Sequence, residues 1–128
     1  MKLLLDTHTF LWWDSQPEQL STTILELCQN PKNSLFLSVV SLWEMQIKSQ
    51  LNKLELRLPL QQLFQEQYLQ NRIMPLNVLP HHIFAVVTLA QAHKDPFDRL
   101  LIAQAKTEKM ILLSKDHVFK DYDVDVIW

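Results

Sequence analysis

Four acidic residues stand where a carboxylate raises a chemical question. Asp6 closes a run of three leucines, and Glu44 lies four residues before Lys48 in an apolar stretch. Asp98 follows Asp95-Pro-Phe at the head of a hydrophobic segment, and Asp116 comes three residues after the apolar run Met110–Leu113. Carboxylates that converge repel one another, and removal from water adds to the cost, so a cluster persists only if protons or a cation compensate. A hard divalent ion such as Mg²⁺ or Mn²⁺ takes oxygen ligands, typically one or two carboxylates together with waters and substrate phosphates. The chemistry that follows is phosphodiester hydrolysis, in which the ion neutralises and polarises the phosphate and activates water for in-line attack.

The stretch Lys94-Asp-Pro-Phe-Asp98-Arg-Leu-Leu-Ile-Ala-Gln-Ala105 reads as a buried helix with its start marked. Pro96 suits the first helical position, where its missing N–H would have had no partner. Asp95 is then the N-cap and Asp98 the third helical residue, a weak form of capping box. Each acid favours a helix N-terminus by roughly 0.3–1 kcal/mol, so capping alone would account for both. The acids elsewhere in the chain point beyond capping.

Leu3–Leu5 reads as a central strand buried on both faces, with a helix over Thr7–Trp13 behind it. Ser21 or Thr23 caps a second helix, Thr23-Ile-Leu-Glu26 matching a capping box, and Asn30-Pro31 ends it. Leu35–Val40 reads as a second strand that runs into a helix on which Ser41, Glu44 and Lys48 share a face. Leu51–Pro59 is a loop, Leu60–Tyr68 an amphipathic helix, and Arg72–Leu76 a third strand interrupted by Pro75. Pro80 opens a helix through Gln91, Pro96 another to about Lys109, Met110–Leu113 is a fourth strand, and Val124, Val126 and Trp128 alternate as an edge strand. Strands alternating with helices predict an α/β fold with an open, mostly parallel sheet of four or five strands covered on both faces. Ligands in such folds gather beyond the carboxyl ends of the strands, which is where all four acids fall.

A chain of 128 residues, 48% hydrophobic and 20% charged, is expected to form one domain over 1–128. Its net charge of −2 offers no global attraction for an anionic substrate, so neutralisation must be local. Lys48, Lys94, Arg99 and Lys115 flank the acids and are candidates for holding neighbouring phosphates. The run after Lys2 is cut by Asp6, too short for a signal sequence, and no stretch approaches a membrane span; the chain is expected to be soluble and cytoplasmic. Cys28, the one cysteine, reads as a small core residue. The chain has no glycine, which excludes a Gly-rich phosphate loop.

Other chemistries fit less well. Aspartyl-phosphate phosphatases want a second Asp two residues after the first, where this chain has His8. Zinc wants His or Cys at ligand spacing, but His81 and His82 are adjacent and His8, His93 and His117 are scattered. No nucleophile-elbow motif appears. Trp12 and Trp13 read as packing on the first helix.

Leu4-Leu-Asp6-Thr-His-Thr-Phe-Leu-Trp-Trp13, Ser38-Val-Val-Ser-Leu-Trp-Glu44-Met-Gln-Ile-Lys48, the segment from His93 to Ala105, and Leu113-Ser-Lys-Asp116 resemble successive motifs of PIN-domain ribonucleases, and most of all VapC-type toxins of bacterial toxin–antitoxin pairs. The resemblance implies a three-layer α/β/α sandwich and Mg²⁺- or Mn²⁺-dependent RNA cleavage that leaves 5′-phosphate and 3′-hydroxyl ends. It also implies an antitoxin partner and a homodimer or larger assembly. The family's acids carry over onto Asp6, Glu44, Asp98 and Asp116 as catalytic metal ligands, the fourth being the most variable. One departure is Asn52, where relatives often have Gly. A catalytically inactive PIN-like module that binds RNA or protein is the alternative. The intact acidic set favours the nuclease, because a binding module has no need for clustered, unpaired carboxylates.

Overall fold

Leu3, Leu4 and Leu5 are completely buried, and they alternate between two cores. This is what a strand covered on both faces requires. In the computed structural model, which describes residues 1–91 and 94–128, they form β1 (Lys2–Leu5) at the centre of a five-stranded sheet. His93, one of the scattered histidines, lies outside the described residues.

On one face Leu3 and Leu5 pack with Phe10 of α1 (Thr7–Ser15), Ile24 and Cys28 of α2 (Thr22–Gln29), Met45 of α3 (Val39–Gln50) and Leu63 of α4 (Leu60–Asn71). On the other, Leu4 packs with Leu101, Ile102 and Ala105 of α6 (Pro96–Thr107), and Ala85 of α5 (Pro80–Ala85) joins the margin. The expected three-layer α/β/α sandwich results.

The remaining strands are β2 (Ser34–Ser38), β3 (Ile73–Leu76), β4 (Ile111–Leu113) and β5 (Val126–Ile127), all parallel, in the order β3-β2-β1-β4-β5. Leu4 stands opposite Phe36 on one side and Leu112 on the other. The chain winds outward from β1 to β3 and then returns to lay β4 beside β1. The topological switch point is therefore between β1 and β4, the place where such sheets open a crevice at their carboxyl edge.

Several boundaries differ from the sequence reading. The β-branched pair Val39-Val40 looks like strand but begins α3, because the Ser38 hydroxyl accepts from the Val40 N–H (3.1 Å) and turns the chain into a helix. Ser21, not Thr23, caps α2, accepting from the Ile24 N–H (3.1 Å). The helix opened by Pro80 stops at Ala85 and tightens into a 3-10 turn over Val86–Thr88, three consecutive β-branched residues. With no glycine available, Asn52, Arg72 and Lys109 take left-handed conformations (φ 56°, 57° and 55°) at or just after the ends of α3, α4 and α6. The Asn52 N–H donates to the Ser49 carbonyl (3.1 Å). Among the described residues, no helix is long and apolar enough to cross a membrane.

Candidate active site

Asp6 is the residue after β1 and the N-cap of α1. The Thr9 N–H donates to its Oδ1 (2.8 Å) and the Ser114 hydroxyl to its Oδ2 (2.5 Å). The Thr9 hydroxyl and the Asp6 N–H both donate to the Leu113 carbonyl (2.9 and 3.2 Å), so α1 starts on the end of β4. Asp6 is only 6% exposed, and burial pushes its carboxyl above the ordinary value; the bonds from Ser114 and Thr9 oppose that shift without cancelling it.

Glu44 lies on α3 beside the start of α1. The Thr7 hydroxyl donates to its Oε1 (2.8 Å) and the Lys48 ammonium to its Oε2 (2.7 Å). Asp98 is the third residue of α6, and Asp95 caps that helix, Oδ1 accepting from the Phe97 N–H (2.9 Å) and the Asp98 N–H (3.4 Å). The ring of Phe97 meets Trp43 edge-on with centroids 5.2 Å apart, which sets the first turn of α6 against the part of α3 that carries Glu44.

Asp116 is exposed and caps a 3-10 turn, its Oδ1 accepting from the Val118 N–H (3.0 Å). Its own N–H donates to Ser114 Oγ (3.0 Å), so one serine holds the carboxylate of Asp6 and the backbone of Asp116 together. Asp6 and Asp116 line a cleft of about 280 Å³ with His8, Trp12 and Lys115.

The four predicted acids thus share the carboxyl edge of the sheet, two of them at the switch point. The structure does not draw three of them within 4.8 Å of one another. Among the described residues, the group that does meet this distance is His81, His82 and Glu108. The buried His82 ring accepts the Leu79 N–H at Nδ1 (2.9 Å), so in the neutral ring Nε2 carries the proton and donates to Glu108 Oε1 (2.8 Å). That bond holds the Glu108 carboxyl below its ordinary value. Nε2 has no lone pair to offer a metal while Nδ1 is an acceptor, so the trio joins the start of α5 to the end of α6.

Arg99, expected to hold phosphate, is buried and turned inward. Its guanidinium donates to the carbonyls of Ala90 (2.7 Å) and Val86 (3.2 Å) and to the Tyr122 hydroxyl (3.3 Å). Lys48 is engaged with Glu44, while Lys94 and Lys115 are exposed. Burial pushes the Cys28 thiol up to about 11, as befits a core residue. Sequence reasoning missed Thr7, Thr9 and Ser114. The cue available was a hydroxyl residue one or three positions after the strand-ending Asp6, and one immediately after the strand-ending Leu113.

A hard divalent cation fits this donor set. The candidates offer only oxygen, and the buried Asp6 carboxylate would gain from a neighbouring positive charge. Each carboxylate oxygen can accept more than one bond, so the contacts from Thr7, Thr9 and Ser114 leave capacity for a ligand.

Fold and site together define a doubly wound α/β domain with carboxylates along the carboxyl edge of its sheet, two of them at the switch point. A family model for the PIN domain matches residues 3–125, and the chain belongs to that family. Ribonuclease VapC22 of Mycobacterium tuberculosis is 24% identical over 121 residues, which make up 94% of this chain and 91% of that protein. Among solved structures, VapBC2 from Rickettsia felis bound to a DNA fragment from its promoter matches with a TM-score of 0.74 at 16% identity, covering 100% of this chain and 99% of the other. VapBC-1 from nontypeable Haemophilus influenzae matches with a TM-score of 0.65 at 15% identity, covering 99% and 97%.

Proposed function

We propose that this chain, a single PIN domain over residues 1–128, is a divalent-metal-dependent endoribonuclease and the toxin of a bacterial toxin–antitoxin pair. The observation that carries the reading is the placing of Asp6, Glu44, Asp98 and Asp116 along one edge of a PIN-family sheet. These four would hold Mg²⁺ or Mn²⁺. The bound ion would supply charge neutralisation, Lewis-acid polarisation and water activation. Thr9 and Ser114 hold both oxygens of Asp6 in place, and Thr7 fixes Glu44 relative to the same helix start. A cleft lined with acids also suits a basic segment of an antitoxin, which would displace the cation and block substrate. We place the toxin in the cytoplasm, as a homodimer or larger assembly.

A second reading, a binding module that does not cut, draws support from Glu44, whose two oxygens are already engaged by Thr7 and Lys48. One assay separates the two. The unmutated chain should cleave RNA in Mg²⁺ or Mn²⁺ to give 5′-phosphate ends, and chelation should abolish the reaction. Asp98→Asn should lower the rate by orders of magnitude while leaving metal-free melting near that of the unmutated chain. Binding of RNA without cleavage across a metal titration would sink the nuclease reading.

A further inference from the structure

Glu44 and Lys48 sit four residues apart on α3, with the acid nearer the N-terminus, the favoured order for such a pair. Side chains on a helix lean toward its N-terminus, so the Lys48 stem carries its ammonium back onto Glu44 Oε2 at 2.7 Å. On a solvated helix face a pair of this kind contributes little and serves no site. This one differs on its acidic side. The Glu44 side chain is only 13% exposed, against 43% for Lys48, and a second helix fixes it. The hydroxyl of Thr7, the first residue of α1, donates to Glu44 Oε1 (2.8 Å), and Thr7 directly follows Asp6.

The two donors to Glu44 are not equivalent. A hydroxyl is neutral, and the oxygen that accepts its bond keeps capacity for a further partner. An ammonium carries a full charge and would repel a divalent cation at the same carboxylate. Lys48 must therefore leave Oε2 for a cation to take it, and its flexible, partly exposed stem lets the ammonium swing away while α3 stays in place. We propose that Lys48 is a resident counter-ion of Glu44 that competes with the divalent cation for this carboxylate and holds cation affinity down. The inference rests on the metal-dependent reading of the four acids and adds a residue that sets how readily they load. It also accommodates a Glu44 with both oxygens engaged, since one of its two contacts is exchangeable.

The test measures Mn²⁺ binding by the full chain, read from the electron paramagnetic resonance signal of free Mn²⁺ with no RNA present. Melting curves in chelator check that each variant is folded. Lys48→Met keeps an unbranched stem and removes the charge. It should bind Mn²⁺ about 2- to 5-fold more tightly than the unmutated chain, the cost of breaking a partly exposed ion pair expressed as affinity. Lys48→Gln, a second neutral variant, should show the same gain, whereas Lys48→Arg keeps the charge and should show none. In the Glu44→Gln background, where Lys48 has no carboxylate to hold, Lys48→Met should leave the affinity unchanged. Equal affinity for the unmutated chain and the neutral variants would overturn this inference and leave the metal-dependent reading standing. The same gain in the Glu44→Gln background, or in Lys48→Arg, would also overturn it, because the effect would not pass through this ion pair. Mn²⁺ binding by none of the chains would overturn the metal-dependent reading and the inference with it.

Discussion

Asp95 and Asp98 stand three residues apart at the start of α6, and substitution should separate their roles. Asp95 accepts two backbone N–H groups, but only the bond from Phe97 at 2.9 Å has good length; that from Asp98 at 3.4 Å is marginal. The loss in Asp95→Ala is therefore essentially one N-cap bond, about 1 kcal/mol within the usual range for such caps. With an unfolding entropy of roughly 2.1 cal/mol/K per residue, that corresponds to a fall of about 4 °C in Tm for a chain of this length. Asn caps about as well as Asp, so Asp95→Asn should keep both Tm and most of the cleavage rate. Asp98→Asn is nearly isosteric and should keep the metal-free Tm while losing cleavage. Melting curves in chelator and cleavage rates in Mg²⁺, measured on all three variants, decide the matter. If Asp95→Asn is as inactive as Asp98→Asn, Asp95 belongs to the chemistry; if Asp95→Ala melts with the unmutated chain, the cap contributes nothing.

Two further outcomes are expected. The pKa of the Asp6 carboxyl is raised by burial above its ordinary value of 3.8, so the fold favours the neutral acid; that stabilisation is complete below pH 3.8 and is lost as pH rises through the folded pKa. In metal-free protein, Asp6→Asn should therefore raise Tm at neutral pH, with the gap closing as pH falls toward 3.8, and a gap independent of pH would refute burial as the cause. Arg99→Met should lower Tm strongly, because it strips a charged donor from the carbonyls of Ala90 and Val86 and from the Tyr122 hydroxyl; hydrogen bonds to charged groups contribute about 1.5–3 kcal/mol. Arg99→Lys should recover little of the loss, since an ammonium cannot reproduce the guanidinium fork, and full recovery would show that charge alone matters there.

What the sequence disclosed was whatever is written in short, local patterns. Three leucines ending in Asp6 gave the central strand, and Asp95-Pro96 gave the start of α6 to the residue. Alternation of strands and helices alone is enough to place the acids at one edge. The failures lie where tertiary contact overrides local preference. Val39 and Val40 are strand formers bent into a helix by one serine hydroxyl. Arg99 looks like a surface cation beside two acids, and only the fold reveals that its partners come from Val86, Ala90 and Tyr122. Ser114 acquires its role because β4 lies next to β1, a neighbour relation between segments 108 residues apart. His82 and Glu108, 26 residues apart, meet because α5 packs against α6.

The three left-handed residues have a consequence for how the molecule can change. Arg72 directly precedes β3, Lys109 lies two residues before β4, and Asn52 follows the far end of α3, so all three sit at the amino edge of the sheet, opposite the acids. Residues other than glycine adopt this conformation at a cost of roughly 1 kcal/mol each. The domain thus has two reservoirs of unfavourable energy, these backbone conformations on one rim and the buried carboxyl of Asp6 on the other. The cost of burying the Asp6 carboxyl cannot be relaxed without altering the candidate site. Torsional strain at the other rim has no such attachment, so a lineage moving to hotter surroundings could shed it at these three positions and keep the rim that carries the acids unaltered.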